Sequence, residues 1–103
     1  MSGKGIKERK HEGARKSLHV LRLYVAGPGV RSLHAIRNLK ELCNRELSGR
    51  YKLEVVDIYK EPKRAAEDQV VAIPTLIKQA PGVVRRLIGD LSETALVRQG
   101  LGI

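Results

Sequence analysis

Tryptophan and phenylalanine are absent from this chain of 103 residues, and Tyr24, Tyr51 and Tyr59 are its only aromatic side chains. Its core must therefore be aliphatic, built from Leu, Ile and Val. A single cysteine, Cys43, excludes an internal disulfide. No stretch approaches the roughly 18 consecutive apolar residues that suggest a membrane span. The basic residues near the start are not followed by the apolar run of about 7 to 15 residues that a secretory signal needs. Together these absences make the cytoplasm the expected compartment.

Acidic side chains are also scarce, 11 against 20 lysines and arginines, for a formal charge of +9. Such an excess raises the question of nucleic-acid binding, which depends on how the charge is distributed. Residues 1–17 hold Lys4, Lys7, Arg9, Lys10, Arg15 and Lys16 against Glu8 and Glu12. The remaining cations are spread along the chain and form no concentrated stripe, so nucleic acid is not the expected partner. Within residues 1–17 Ile6 is the only branched apolar residue. That stretch cannot bury enough surface to offset its ordering entropy and is expected to be a flexible basic extension. Residues 18–103 form the expected single domain.

At residue 18 the pattern changes. Residues 18–26 alternate Val20, Arg22 and Tyr24 on one face with Leu21, Leu23 and Val25 on the other, which predicts a largely buried strand stopped by Gly27-Pro28-Gly29. Leu33, Ile36, Leu39, Leu42 or Cys43, and Leu47 recur at helical spacing and predict an amphipathic helix over 30–47, closed by Ser48-Gly49. A second strand follows over 51–59. Two strands joined by a helix run parallel with a right-handed crossover. Pro62 suits the first turn of a short helix continuing through Val70. Residues 75–79 and 83–88 read as an antiparallel hairpin around Ala80-Pro81-Gly82. Asp90-Leu91-Ser92-Glu93 has capping-box spacing, which predicts a last helix running to Gln99.

The order β-α-β-α-β-β-α defines an α/β, thioredoxin-like fold. Ile73-Pro74-Thr75 strengthens this, because a proline entering the third strand of such folds is commonly cis, a geometry open to X-Pro bonds. Redox catalysis is then the first chemistry to weigh. It needs a low-pKa thiolate between the first strand and first helix, where this chain has Gly27-Pro28-Gly29-Val30-Arg31-Ser32. Cys43 lies instead on the apolar side of the helix, where a buried, inert thiol is expected. His11, His19 and His34 have no second ligand at a metal-binding spacing. Asp57, at the end of the second strand, reads as a cap or surface ion pair, and Glu67 and Asp68 are helix neighbours that do not face each other. Gly27-Pro28-Gly29 matches no phosphate-loop pattern and reads as a tight turn. Arg85 and Arg86 point to opposite faces of a strand, one of them available to an acidic partner and the other a surface group. No catalytic, cofactor-binding or metal-binding residue emerges, and no cofactor is expected.

Five segments in order, Leu23-Tyr24-Val25-Ala26-Gly27, Val56-Asp57-Ile58, Glu67-Asp68, Pro74-Thr75-Leu76 and Val84-Arg85-Arg86-Leu87-Ile88-Gly89-Asp90-Leu91-Ser92, resemble the KaiB family of circadian clock proteins from about His19 to Gly100. The resemblance implies a non-enzymatic adaptor that binds a KaiC-type ATPase and modulates its phosphorylation or ATPase cycle. A KaiA-like protein or a clock-output histidine kinase would be a further partner. It also implies two folds, a thioredoxin-like monomer and a differently packed tetrameric state. The half from residue 62 onward would rearrange, around Gly89, Asp90 and Gly100, and self-association as dimer or tetramer would accompany it. Family chains usually continue past the position of Ile103 with an acidic tail, so the thioredoxin-like form is expected here. Partner contact would fall on Tyr51, Lys52 and Glu54 of the second strand and His34 of the first helix. Lys52 and Glu54 depart from the family's usual small and basic residues there, which implies a changed charge preference. A thioredoxin-like redox or nucleic-acid-binding protein is the alternative.

Overall fold

The computed structural model describes residues 18–103. The basic extension expected over 1–17, with His11, lies outside them. The elements are β1 (His19–Val25), α1 (Val30–Leu47), β2 (Tyr51–Asp57), α2 (Pro62–Glu67), β3 (Thr75–Ala80), β4 (Arg85–Ile88) and α3 (Thr94–Leu101). One four-stranded sheet has the order β2-β1-β3-β4, with β1 parallel to β2 and antiparallel to β3, and β4 antiparallel to β3. The α/β architecture and element order are those of the thioredoxin-like fold read from the sequence.

Strand periodicity sets the layers, because successive side chains leave opposite sides of the sheet. Leu21, Leu23 and Val25 of β1 join Leu76 of β3 in a core closed by Ala35, Leu39, Leu42, Cys43 and Leu47 of α1 and by Val97 and Leu101 of α3. Tyr24 faces the other way, into a smaller cluster with Val56 and Ile77. Ala65, next to the middle of α2, and Ile58, Val70 and Ile73 complete that second layer. One large and one small core thus lie on opposite sides of the same sheet. The Ile73-Pro74 and Ala80-Pro81 peptide bonds are both cis.

Several details differ from the sequence expectation. The buried stripe of α1 is rotated: Ala35 is fully buried whereas Leu33 remains 55% exposed. A small residue is needed where the helix approaches the sheet, and apolar spacing alone does not register this. The last helix does not begin with a capping box. Asp90 Oδ1 accepts from the Ser92 backbone N–H at 3.1 Å, Leu91 has φ +64°, and the helix starts at Thr94 without a side-chain cap. It then runs through Gly100 to Leu101; a side chain at Gly100 would meet the Leu87 side chain at 2.7 Å, so glycine there lets the helix lie close on β4. The hairpin strand is shorter than the apolar run, with Val83 and Val84 outside β4 and exposed, and α2 stops at Glu67 instead of reaching Val70.

The observed phase of α1 is testable by truncation. Leu39→Ala should cost about 2–5 kcal/mol in denaturant unfolding, as for a fully buried leucine, whereas Leu33→Ala should stay within about 0.5 kcal/mol.

Candidate protein-docking surface

A sheet ordered β2-β1-β3-β4 ends on two strands with no neighbour among the described residues. The β2 end can be resolved into its hydrogen-bonding groups. The His19 N–H donates to the Arg50 carbonyl at 3.1 Å and the Ile58 N–H to the Val25 carbonyl at 2.9 Å. In a parallel ladder the groups alternate, so residues 50, 52, 54, 56 and 58 face β1 and the backbone groups of Tyr51, Leu53 and Val55 point outward. Such a row is a template for strand addition.

The four residues anticipated from the sequence divide between the two sides of this edge. Tyr51 lies on the α1 side, and its hydroxyl donates to Asn44 Oδ1 at 2.8 Å. Lys52 and Glu54 lie on the α2 side, beside an open groove that Val20, Arg22 and Gln79 also line. His34 is exposed in the first turns of α1. It stands ten residues before Asn44, roughly 15 Å along the helix at 1.5 Å per residue. The structure therefore groups Tyr51, Lys52 and Glu54 and sets His34 apart at the other end of the helix. Near that end, Asp57 fixes the β1-α1 turn: its Oδ1 accepts the Gly27 N–H at 3.1 Å and the Tyr59 N–H at 2.9 Å. Its role as a cap matches the sequence expectation. At the far end of the chain Gly89 leaves β4 with φ +120° and donates its N–H to the Pro74 carbonyl at 3.0 Å. The Asp90 carbonyl accepts from Asn38 Nδ2 at 2.9 Å.

Glu54 is not a free carboxylate. Arg64 grips it with two nitrogens at 2.5 and 2.7 Å, and Arg22 Nε reaches it at 3.1 Å. Arg22 also donates to Asp68 Oδ2 at 2.9 Å, the same oxygen to which the Tyr24 hydroxyl donates at 2.5 Å. Asp68 was legible only as the neighbour of Glu67. The available signal was Arg22 itself, a cation in alternation with Val20 and Tyr24 on a strand whose inner positions require a countercharge. The Arg64 guanidinium, with help from Arg22, holds the Glu54 carboxyl at about 2, well below its ordinary 4.5. The Tyr24 hydroxyl and Arg22 hold Asp68 below the usual carboxylate range.

Redox groups are placed for packing. Cys43 is fully buried, and burial pushes its thiol up to about 11, so it is un-ionised at neutral pH. His19 is buried with Nε2 2.9 Å from the Leu101 carbonyl. Among the described residues no group of three or more His, Cys, Asp or Glu side chains could hold a metal ion, and no helix is long and apolar enough to cross a membrane.

These features define a class: a thioredoxin-like domain whose β1-α1 turn carries no thiol and whose accessible features are strand edges. Solved structures agree on the fold. The N-terminal domain of Synechococcus elongatus SasA superposes with TM-score 0.68 at 23% identity, covering 80% of this chain and 78% of that one. Mitochondrial thioredoxin 3 of Saccharomyces cerevisiae superposes with TM-score 0.67 at 18% identity, covering 92% and 89%. The KaiB domain model matches residues 22–103. Circadian clock protein KaiB3 of a Synechocystis species is 45% identical over 84 residues, 82% of either chain. The circadian clock oscillator protein KaiB of Prochlorococcus marinus subsp. pastoris is 47% identical over 90 residues, 87% of this chain and 83% of that one. The chain belongs to the KaiB family of clock proteins.

The clamp on Glu54 predicts a pH signature. A folded-state value depressed to about 2 means that the stabilisation is complete above about pH 4.5 and disappears as pH falls through 2. Glu54 is about half exposed, so solvent screens the clamp. Glu54→Gln should lower the melting temperature by only about one to three degrees at pH 7, and the gap to the parent protein should close toward pH 2 in thermal melts.

Proposed function

We propose that this KaiB-family protein is a non-catalytic adaptor that docks on a KaiC-type ATPase and modulates its phosphorylation or ATPase cycle in the cytoplasm. The observation that carries this reading is the outward row of backbone groups at Tyr51, Leu53 and Val55, on an edge strand that no element among the described residues covers. A partner segment would pair with that edge. Tyr51, anchored to Asn44, would supply a rigid aromatic contact, and Lys52 a charged one. Glu54 would act indirectly, by holding Arg22 and Arg64 in place beside the edge. His34 and the exposed start of α1 would extend the contact. A KaiA-like protein or a clock-output histidine kinase would compete for the same edge or be recruited to it. The shape shared with the SasA N-terminal domain supports the idea that such domains present equivalent surfaces.

The family's second packing belongs to the same proposal. Residues from 62 onward would move while β1, α1 and β2 persist, and Gly89, Asp90 and Gly100 would lie in the segment that changes.

The test is size exclusion with the cognate KaiC-type ATPase, with and without ATP. Co-elution is expected in at least one nucleotide condition, and Tyr51→Ala with Lys52→Glu should weaken it at least tenfold. Persistent separation in both conditions would overturn the proposal.

A further inference from the structure

The opposite end of the sheet presents a second edge of different chemistry. The Gly89 N–H donates to the Pro74 carbonyl, which fixes the phase of the antiparallel β3-β4 ladder. Residues 85, 87 and 89 then turn their backbone groups toward β3, and those of Arg86 and Ile88 point outward. Val84, Arg86 and Ile88 project on the α2 side, and Arg85 and Leu87 on the α3 side. Val84 and Ile88 are 58% and 66% exposed, and Leu96 of α3, beside the same edge, is 54% exposed. A shallow trough lined by Arg85, Leu87, Leu96 and Gly100 runs along it. Large apolar side chains flanking an unpaired strand are unusual on a protein that stays soluble alone.

The charge of this edge narrows what can cover it. Arg86 directs its guanidinium to the backbone carbonyls of Asp68 and Gln69. The carboxylate of Asp68 is occupied by Tyr24 and Arg22. Arg85 is exposed and makes no ion pair among the described residues, and Lys78, its cross-strand partner, is also cationic. Residues 1–17 carry a surplus of cations, so their charge does not complement this edge. A second copy would bring four guanidinium groups onto one short ribbon, where like charges in opposition destabilise the pair.

We infer that the outer edge of β4 is a second protein-docking site, which takes up an extended acidic segment of another protein by strand addition. Backbone groups of Arg86 and Ile88 supply the ladder, Val84, Ile88 and Leu96 supply apolar contact, and Arg85 with Arg86 select glutamate or aspartate. Two strands separate this edge from β2, so the edges stand roughly 14 Å apart at about 4.8 Å per strand spacing. Both can be occupied at once. The inference does not depend on which ATPase engages β2.

The probe is a synthetic acidic peptide of about ten residues, a usual upper strand length, alternating glutamate with valine or threonine. The control has lysine for glutamate. Amide hydrogen exchange of the full chain, followed by NMR, should show the Arg86 and Ile88 amides slowed by the acidic peptide, with Leu53 and Val55 unchanged. Arg85→Glu should weaken binding about tenfold, the factor set by ~1.4 kcal/mol. Ile88→Pro removes an outward donor together with the Ile88 side chain, at a position where edge strands accept proline, and should abolish the protection at the Arg86 amide. Equal binding of the lysine peptide, protection at β2 instead of β4, unchanged exchange at Arg86 and Ile88, or dimerisation of the chain alone through β4 would each overturn the inference.

Discussion

Arg22 places a fixed positive charge inside the second layer of the sheet, and the way that charge is met organises everything on that side. A guanidinium cannot shed its proton, so it must be given carboxylates or carried to water. Here it receives two, Glu54 from the neighbouring strand and Asp68 from the end of α2. Arg64 then completes the clamp on Glu54, and the Tyr24 hydroxyl on Asp68. The backbone at Asp68 and Gln69 in turn receives Arg86 from β4. A helix of six residues with no buried side chain of its own is thereby held by charge-assisted bonds to β1, β2 and β4. Packing alone would hold it poorly, since its cluster has only three fully buried members.

The contrast with the other face explains which parts of the molecule were legible in the sequence. The large core follows from aliphatic periodicity, and β1, α1 and β2 were readable to within a residue or two at each boundary. Composition also gave the absence of a redox loop directly. Alternation along β1 even separated the two faces correctly. The phase of α1 was hidden because Ala35 and Ser32 are buried by close approach to the sheet, which hydrophobicity does not encode. The start of α3 was hidden because the acceptor at Asp90 is spent on a turn two residues on. Of the ionic clamp only the unmet charge of Arg22 was legible: its paired members stand 10 to 46 positions apart in sequence and meet only once the sheet register is set. Of the anticipated contact residues, Tyr51, Lys52 and Glu54 do share an edge, but alternation places them on different faces of it.

Function follows from what the two faces leave uncovered. A thioredoxin-like domain with thiols in its first turn concentrates its chemistry at one point. This chain has glycine and proline there, locked by Asp57, and its lone thiol is sealed beneath α1. Both sheet margins are open among the described residues, and the margins differ. β2 presents an aromatic residue and mixed charge, whereas β4 presents arginines among aliphatic side chains. Different chemistry at the two ends of one rigid sheet suits a component that holds partners in relation to each other.

The lack of tryptophan and phenylalanine has an optical consequence. All ultraviolet emission from the chain comes from three tyrosines, and each reports on a separate place: Tyr24 on the ionic layer, where its hydroxyl meets Asp68; Tyr51 on the β2 margin; and Tyr59 on the turn, where its ring lies 3.5 Å from the position of a side chain at Gly27. Any partner that contains tryptophan emits in a distinct band. The protein is thus a nearly silent background against which a bound partner can be watched, and three single-tyrosine variants would separate the signals of its layers.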